Sequence, residues 1–194
     1  MPLTAALAEF YWSQLPAATR VLDLGCGSGD LGRFKPPGTH VYGLDHNAAA
    51  LKSAENWETV KRWDLDSQLT LPFDEGYFDA VVARDILEHL QKPWNMVAEL
   101  RRVTRVGGCV LASVICERGR RTWSDYTHVR GFTQSSAGQM FEDGGFKVVG
   151  TWRMGPVPLS SRARMIRFVP YLLWLPPFGW LWTSSYEVKA IRTP

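Results

Sequence analysis

Residues 21–32, VLDLGCGSGDLG, decide the fold. An apolar stretch that contains Asp23 runs into three glycines at alternate positions, Gly25, Gly27 and Gly29. Glycine adopts positive φ without steric cost, so it lets the backbone turn tightly and approach a ligand closely. In an open parallel sheet, ligands bind beyond the carboxyl ends of the strands, where the strand order reverses. The segment therefore predicts a strand, a ligand-binding loop and then a short helix.

Short apolar runs alternate with helical stretches along the chain, a pattern typical of a parallel sheet flanked by helices. Strands are predicted at residues 20–24, 40–45, 59–63, 78–83, 108–115, 146–152 and 186–191. Helices are predicted in the N-terminal stretch, just after Gly29, near 48–55, 86–90 and 94–103, and at 135–141 after Thr133 as N-cap. The predicted fold is α/β, a doubly wound, mostly parallel seven-stranded sheet of the Rossmann-like type with an antiparallel edge hairpin.

The bulk composition narrows the class further. A length of 194 residues fits a single domain over 1–194, with one insertion at about 155–185. A formal net charge of +3 suits an acidic ligand or a membrane surface, but a nucleic-acid partner would need clustered basic residues. The three cysteines form no CxxC pair, and the first residues lack the pattern of a signal peptide. A reducing, cytoplasmic location is expected.

An acidic residue after the second strand indicates the kind of ligand. Asp45 could accept hydrogen bonds from both hydroxyls of a ribose. Residues 27–32 also match the GxGxxG dinucleotide motif, which by itself is weak evidence for NAD. Asp23 and Asp30 flank the loop, where they would repel a diphosphate but favour a cofactor that carries a sulfonium and an ammonium. The sequence therefore favours a cationic nucleoside cofactor.

Taken together, the motifs resemble the class I S-adenosylmethionine-dependent methyltransferases, in particular the type 11-like small-molecule enzymes. The resemblance covers roughly residues 20–150 and is carried by an ordered series of segments rather than by one motif. After the glycine loop, these are YGLDHN (42–47), WDLD (63–66), LPFDEGYFDAVVARDILEHL (71–90) and ELRRVTRVGGCVLASV (99–114). The resemblance implies S-adenosylmethionine as the cofactor.

The same resemblance implies a set of cofactor-binding positions. The glycines would pass beneath the methionine and ribose parts, Asp23 would position the methionine end, and Asp45 would hold the ribose hydroxyls. Asp64 would meet the adenine amino group beside the backbone amide of Leu65, and Arg84 would offer its carbonyl to the ammonium. The implied cofactor-binding residues are Asp23, Gly25, Gly27, Gly29, Asp45, His46, Asp64, Leu65 and Arg84.

A polar cluster at the fourth strand supplies the candidate catalytic residues. If residues 86–90 form a helical turn, Asp85, Glu88 and His89 share one face, and His128 follows in a later loop. These motifs resemble the metal-assisted O-methyltransferases of ubiquinone biosynthesis, in which a carboxylate, a Glu and a His ligate a divalent metal, although Asp85 stands where Glu is usual. His89 and His128 are the predicted catalytic residues, and metal binding by the four residues stays an open alternative.

The insertion at 155–185 is rich in arginine, tryptophan and proline. Its segment from Arg162 to Trp182 contains too short an apolar run to span a bilayer, which takes about 20 apolar residues. The composition suits contact with a membrane surface, a lid over an apolar substrate, a dimer contact, or packing into the protein's own core.

These observations combine into one functional hypothesis with alternatives. We expect methyl transfer to a small, apolar or lipid-linked acceptor, at oxygen, by a cytoplasmic protein that contacts the membrane peripherally. RNA methylation, which should show a strongly salt-dependent affinity, is one alternative. A cofactor-binding scaffold without turnover is another, and an NAD oxidoreductase is the least favoured.

Overall fold

A computed structural model describes residues 5–17, 20–54, 59–118, 122–154 and 183–194. Within these ranges one sheet of seven strands has the order β3-β2-β1-β4-β5-β7-β6. The strands are β1 (Arg20–Leu24), β2 (His40–Asp45), β3 (Thr59–Arg62), β4 (Phe78–Arg84), β5 (Thr104–Ile115), β6 (Phe146–Met154) and β7 (Ser185–Arg192). Strands β1 to β5 run parallel, whereas β7 pairs antiparallel with both β5 and β6. The predicted fold and its antiparallel edge are confirmed.

The helices lie where the apolar spacing and the caps place them. They are α1 (Ala5–Gln14), α2 (Ala48–Leu51), α3 (Pro93–Val103) and α4 (Gln134–Asp143). Helix α4 begins after Thr133, whose hydroxyl accepts from the Ser136 amide while the Ser136 side chain caps in return. This reciprocal capping satisfies two backbone donors that the helix itself leaves free.

Three predicted helices differ in the structure. The one predicted near 48–55 is α-helical only over Ala48–Leu51 and continues as a 3₁₀ turn, Lys52–Ala54. After the glycine loop there is only a 3₁₀ turn, Gly32–Phe34, because Pro36 and Pro37 cannot continue a helix. The helix predicted at 86–90 is likewise a single 3₁₀ turn, Leu87–His89. The backbone of Asp85, just before this turn, has a φ of +52°, which prevents a regular helix from starting there.

The sheet separates two apolar clusters. Helix α1 covers one face and packs Ala8 and Tyr11 against Val21, Val82 and Leu111. The opposite face carries the larger cluster, to which α3 and α4 contribute. Successive side chains of a strand point to opposite faces, so side chains two positions apart share a face. The residues two positions after Val21, Val82 and Leu111 therefore also lie on the α1 face. This places Asp23, Arg84 and Ser113 on the α1 face at the carboxyl edge of the sheet.

The strand order positions a crevice at that edge. Strand β1 lies between β2 and β4. Strands β2 and β3 therefore lie on one side of β1 and β4 and β5 on the other, so the strand order reverses at β1. Such a reversal opens a crevice beyond the carboxyl ends of the strands. The glycine loop follows β1 and therefore borders it. The single-domain organisation stays a prediction, and nearly all of the insertion at 155–185 lies outside the described residues.

Candidate active site

The glycine loop is held against the end of β2. The amides of Gly25 and Cys26 donate to the Leu44 carbonyl at 2.8 and 3.1 Å. Gly25, Gly27 and Gly29 all have positive φ, at 73°, 53° and 80°. A Cβ on Gly25 would also lie only 3.0 Å from Cδ1 of Ile86. The alternate glycines are therefore required by backbone conformation, and at Gly25 by a close approach as well.

Asp45 organises this loop through both carboxylate oxygens. Oδ2 accepts from the Gly27 amide at 2.8 Å, and Oδ1 accepts from the Asn47 amide at 2.7 Å. The side chain is largely buried at the end of β2, and Nδ1 of His46 lies 3.6 Å from Oδ1. The predicted acid thus lies at the carboxyl end of β2 and ties the glycine loop to this strand. His46 is mostly exposed beside it.

Asp64 and Leu65 follow β3 at the same edge. Asp64 is exposed, and hydrogen bonds from Ser67 and from the Asp66 amide hold its pKa below the usual value. Leu65 is buried in the core. The Trp63 ring packs against that core and donates to the Gln68 carbonyl at 3.0 Å. The structure therefore places Asp64 on the rim of the sheet edge and Leu65 beneath it.

A small crevice between β1 and β4, here called the β1–β4 crevice, joins the remaining predicted cofactor residues. Asp23 is fully buried in it, and burial raises the pKa of its carboxyl to about 7 even though the positive charge of Arg84 opposes the shift. Negative charges on Asp45 and Asp30 add to the increase. The crevice is lined by Tyr11, Asp23, Gly25, Cys26, Asp30, Leu31, Val82 and Arg84.

Three residues that sequence reasoning missed extend this polar site. The hydroxyl of Tyr11 on α1 donates to Oε2 of Glu187 on β7 at 2.9 Å, and both side chains are buried. Burial raises the pKa of Glu187 to about 8 and that of Tyr11 well above its usual range. Ser113 on β5 lies in register between Arg84 and Glu187. The one sequence signal that could have predicted this polar site is Glu187, an acidic residue at a position of β7 where an apolar side chain is expected.

The structure corrects the predicted convergence of Asp85 with Glu88 and His89. The carboxylate of Asp85 accepts from the Ser113 hydroxyl at 2.7 Å, and its amide donates to the Ser113 carbonyl. Asp85 therefore belongs with β5, because its positive φ ends β4 in a sharp turn rather than in a helix. Within the described residues, the group whose ligand atoms lie within 4.8 Å of one another is Glu88, His89 and His128.

This Glu–His–His cluster combines a buried acid with two imidazoles. The rings of His89 and His128 are 4.6 Å apart, although 39 positions separate the residues in the chain. Glu88 is fully buried, and neither of its carboxylate oxygens has a hydrogen-bond partner in the described part of the chain. Burial raises its pKa to about 8, and the negative charge of Asp85 adds to the effect. The cluster is thus short of hydrogen-bond donors.

Hydrogen bonds define which ring nitrogen of each histidine is available. Nδ1 of His128 is 2.8 Å from the Thr122 carbonyl, which can only accept, so Nδ1 carries the proton. The Thr127 hydroxyl donates to Asp125 at 2.6 Å and therefore accepts from Nδ1 of His89 at 2.9 Å. Burial and the neighbouring His128 lower the pKa of His89. In the neutral rings, both Nε2 atoms carry the lone pair.

The fold and the site together define a class of protein: a doubly wound α/β protein with a crevice at the switch point of its sheet. Comparison with known families narrows this class of protein further. Residues 22–112 match the family described as "Methyltransferase domain". The chain is 36% identical over 106 residues to an "Uncharacterized methyltransferase" of Schizosaccharomyces pombe, and 34% identical over 105 residues to a "Ubiquinone biosynthesis O-methyltransferase" of Aromatoleum aromaticum. These matches cover 47% and 51% of the chain, but only 38% and 45% of those relatives.

A solved structure of a "SAM dependent methyltransferase" from Archaeoglobus fulgidus shares the fold. It is 20% identical, has a TM-score of 0.75, and aligns over 97% of the chain and 92% of its own length. The chain thus matches the methyltransferase family over residues 22–112 and shares the fold of a solved S-adenosylmethionine-dependent methyltransferase. The family and the fold imply S-adenosylmethionine as its cofactor.

No helix in the described ranges is long and apolar enough to cross a membrane. The segment 162–182, for which membrane-surface contact is predicted, lies outside the described residues.

Proposed function

We propose that the protein transfers the methyl group of S-adenosylmethionine to an oxygen atom of a small, apolar or lipid-linked acceptor in the cytoplasm. The observation that carries the proposal is the Asp45 carboxylate, which accepts hydrogen bonds from both the glycine loop and the Asn47 amide. The turn that follows β4 then leads directly to His89. The crevice and the two histidines therefore lie at one edge of the sheet.

S-adenosylmethionine supplies an electrophilic methyl group on a sulfonium sulfur. The acceptor oxygen forms a bond to the methyl carbon while the carbon–sulfur bond breaks, so the reaction needs alignment more than covalent help from the protein. The buried carboxylates at the crevice favour the cationic reactant. Nε2 of His128 or His89 takes the acceptor proton, since each carries a lone pair and each ring is held in place through Nδ1.

Exposed apolar side chains around the catalytic candidates support an apolar acceptor. Trp123 and Tyr126, which flank the loop leading to His128, are 66% and 97% exposed, and Trp94 is 53% exposed beneath the Arg130 guanidinium. Single exposed aromatics are ordinary, but several around one site indicate a binding surface. The similarity to a ubiquinone biosynthesis O-methyltransferase agrees with transfer to oxygen. Peripheral contact with a membrane through residues 162–182 is part of the same proposal.

A divalent cation held by the Glu–His–His cluster is a second candidate for acceptor activation. The specific observation is that Glu88 is buried with no hydrogen-bond partner for either carboxylate oxygen in the described ranges, and that its ligand atom lies within 4.8 Å of one from each of the two imidazoles. Carboxylate and imidazole are ordinary ligands of divalent transition metals. The Asp125–Thr127 pair would orient the His89 ring through its Nδ1 atom. Such an ion would polarise the acceptor oxygen.

The test is a transfer assay with labelled S-adenosylmethionine and acceptors of three kinds: phenols, carboxylic acids and lipid-linked alcohols. We expect an O-methylated product with the wild type, and loss of turnover but retained S-adenosylhomocysteine binding in His128→Asn. His40→Asn, at the start of β2, is the matched control and should retain activity. Loss of turnover after chelation, restored by added metal, would select the cation over the imidazole base.

Other outcomes contradict the proposal. Transfer to RNA with a steep salt dependence would assign a nucleic-acid substrate. Cofactor binding without transfer to any acceptor class would assign a scaffold without turnover.

A further inference from the structure

A row of polar side chains crosses three neighbouring strands on the α1 face. Arg84 on β4 is in register with Ser113 on β5, and Ser113 is in register with Glu187 on β7. Neighbouring strands lie about 5 Å apart, so the three side chains span one edge of the β1–β4 crevice. Asp23 lies on the other side of Arg84, on β1. Arg84 is therefore flanked by two buried acids.

Neither of these two acids forms a direct contact with the Arg84 guanidinium. In the described part of the chain, the Arg84 side chain forms no hydrogen bond and no close ion pair. The strand register places Arg84 between Asp23 and Glu187, and its positive charge lowers the pKa of both acids. Glu187 instead accepts the hydroxyl of Tyr11. The guanidinium thus lines the crevice with its donors available.

Arg84 lines the crevice together with two acids, Asp23 and Asp30. Glu187 accepts the Tyr11 hydroxyl at 2.9 Å rather than a donor of Arg84, and burial raises its pKa to about 8. Among the residues that line the β1–β4 crevice in the described ranges, Arg84 is the only cationic one. An arginine presents a planar fork of donors whose best partner is a carboxylate bound through both oxygens.

We propose that the guanidinium of Arg84 binds the carboxylate of the cofactor's methionyl end while Asp23 receives its ammonium. This inference rests on the proposed function and goes beyond the backbone role expected for Arg84, since it makes the side chain a determinant of cofactor specificity. The methionyl end of the cofactor carries an ammonium and a carboxylate, which match the carboxyl of Asp23 on β1 and the guanidinium of Arg84 on β4. Tyr11 and Glu187 are positioning residues that border the guanidinium on the far side.

The test compares ligands that differ only at the amino-acid end. Calorimetric titrations use S-adenosylhomocysteine, its decarboxylated analogue S-adenosyl-3-thiopropylamine, and 5′-methylthioadenosine, which lacks the whole amino-acid end. Arg84→Met should weaken S-adenosylhomocysteine by about 10- to 100-fold, the effect of losing a charge-assisted pair, and leave the two truncated ligands unchanged. Arg84→Lys should give an intermediate loss, because it keeps the charge but not the fork.

Two controls separate binding from folding. Arg33→Met removes a positive charge from an exposed side chain that pairs with Asp30 near the glycine loop, and it should leave all three affinities unchanged. Thermal unfolding of each variant checks that the fold is intact.

Equal weakening of all three ligands in Arg84→Met would show a structural role and overturn the inference, as would unchanged binding of S-adenosylhomocysteine. A folded wild type that binds none of the three would overturn the proposed function and this inference together.

Discussion

Replacing Tyr11 with phenylalanine tests whether α1 is tied to the far edge of the sheet. Tyr11 is only 2% exposed, and its hydroxyl donates to Oε2 of Glu187 at 2.9 Å. Phenylalanine keeps the ring and its packing against Val21 and Val82, so the change removes one hydrogen bond and leaves a buried carboxyl oxygen without it. An orphaned buried group of this kind costs about 1–3 kcal/mol in the free energy of unfolding. For a protein of this size the melting temperature should fall by about 2–12 °C.

The assay is urea denaturation followed by circular dichroism, with calorimetric melting at the same pH. Tyr126→Phe is the matched control, since Tyr126 is 97% exposed and its hydroxyl loss should change stability by less than about 0.5 kcal/mol. If Tyr11→Phe is as stable as this control, the Tyr11–Glu187 bond does not hold α1, and the reasoning is wrong.

Three further outcomes are expected. Folding raises the pKa of Glu187 from 4.5 to about 8, so its contribution to stability is complete below pH 4.5 and is lost as the pH rises through 8. Glu187→Gln should therefore show a smaller loss of unfolding free energy between pH 5 and pH 8.5 than the wild type, and equal slopes would contradict this. Gly25→Ala should destabilise by about 1–3 kcal/mol, because it adds positive-φ strain and crowds Ile86, whereas Gly38→Ala adds only the strain; denaturation of both variants should rank them in that order. Thr127→Val should lower the transfer rate at least about tenfold without changing S-adenosylhomocysteine affinity, because it releases Nδ1 of His89; an unchanged rate in the transfer assay would exclude this role.

Local patterns were sufficient to predict the strands and the glycine loop. Strands β1 and β2 have the predicted bounds, and Thr133 caps α4 as expected. These features depend on residues close together in the chain, namely alternating apolar positions, glycines with positive φ, and a side chain that caps its own helix. Asp45 also lies where its position at the end of β2 predicts, because parallel strands end at one edge.

The features that local patterns did not predict depend on distant residues. Tyr11 meets Glu187 only because α1 packs on a sheet in which β7 is inserted between β5 and β6. Asp85 turns toward Ser113 instead of joining Glu88, a consequence of one positive φ that no residue type requires. His89 and His128 were predicted from the resemblance of their motifs to a family, and their proximity follows from the path of the loop after β5.

The most direct test of the account is a calorimetric titration with S-adenosylhomocysteine, comparing the wild type with Asp45→Ala. The wild type should bind in the micromolar range. The variant should lose binding, because Asp45 holds the amides of Gly27 and Asn47 and is the residue expected to bind the ribose. Asp143→Ala, at the end of α4, is the matched control and should bind like the wild type. A folded wild type that does not bind, or an Asp45→Ala variant that binds equally well, would contradict the account.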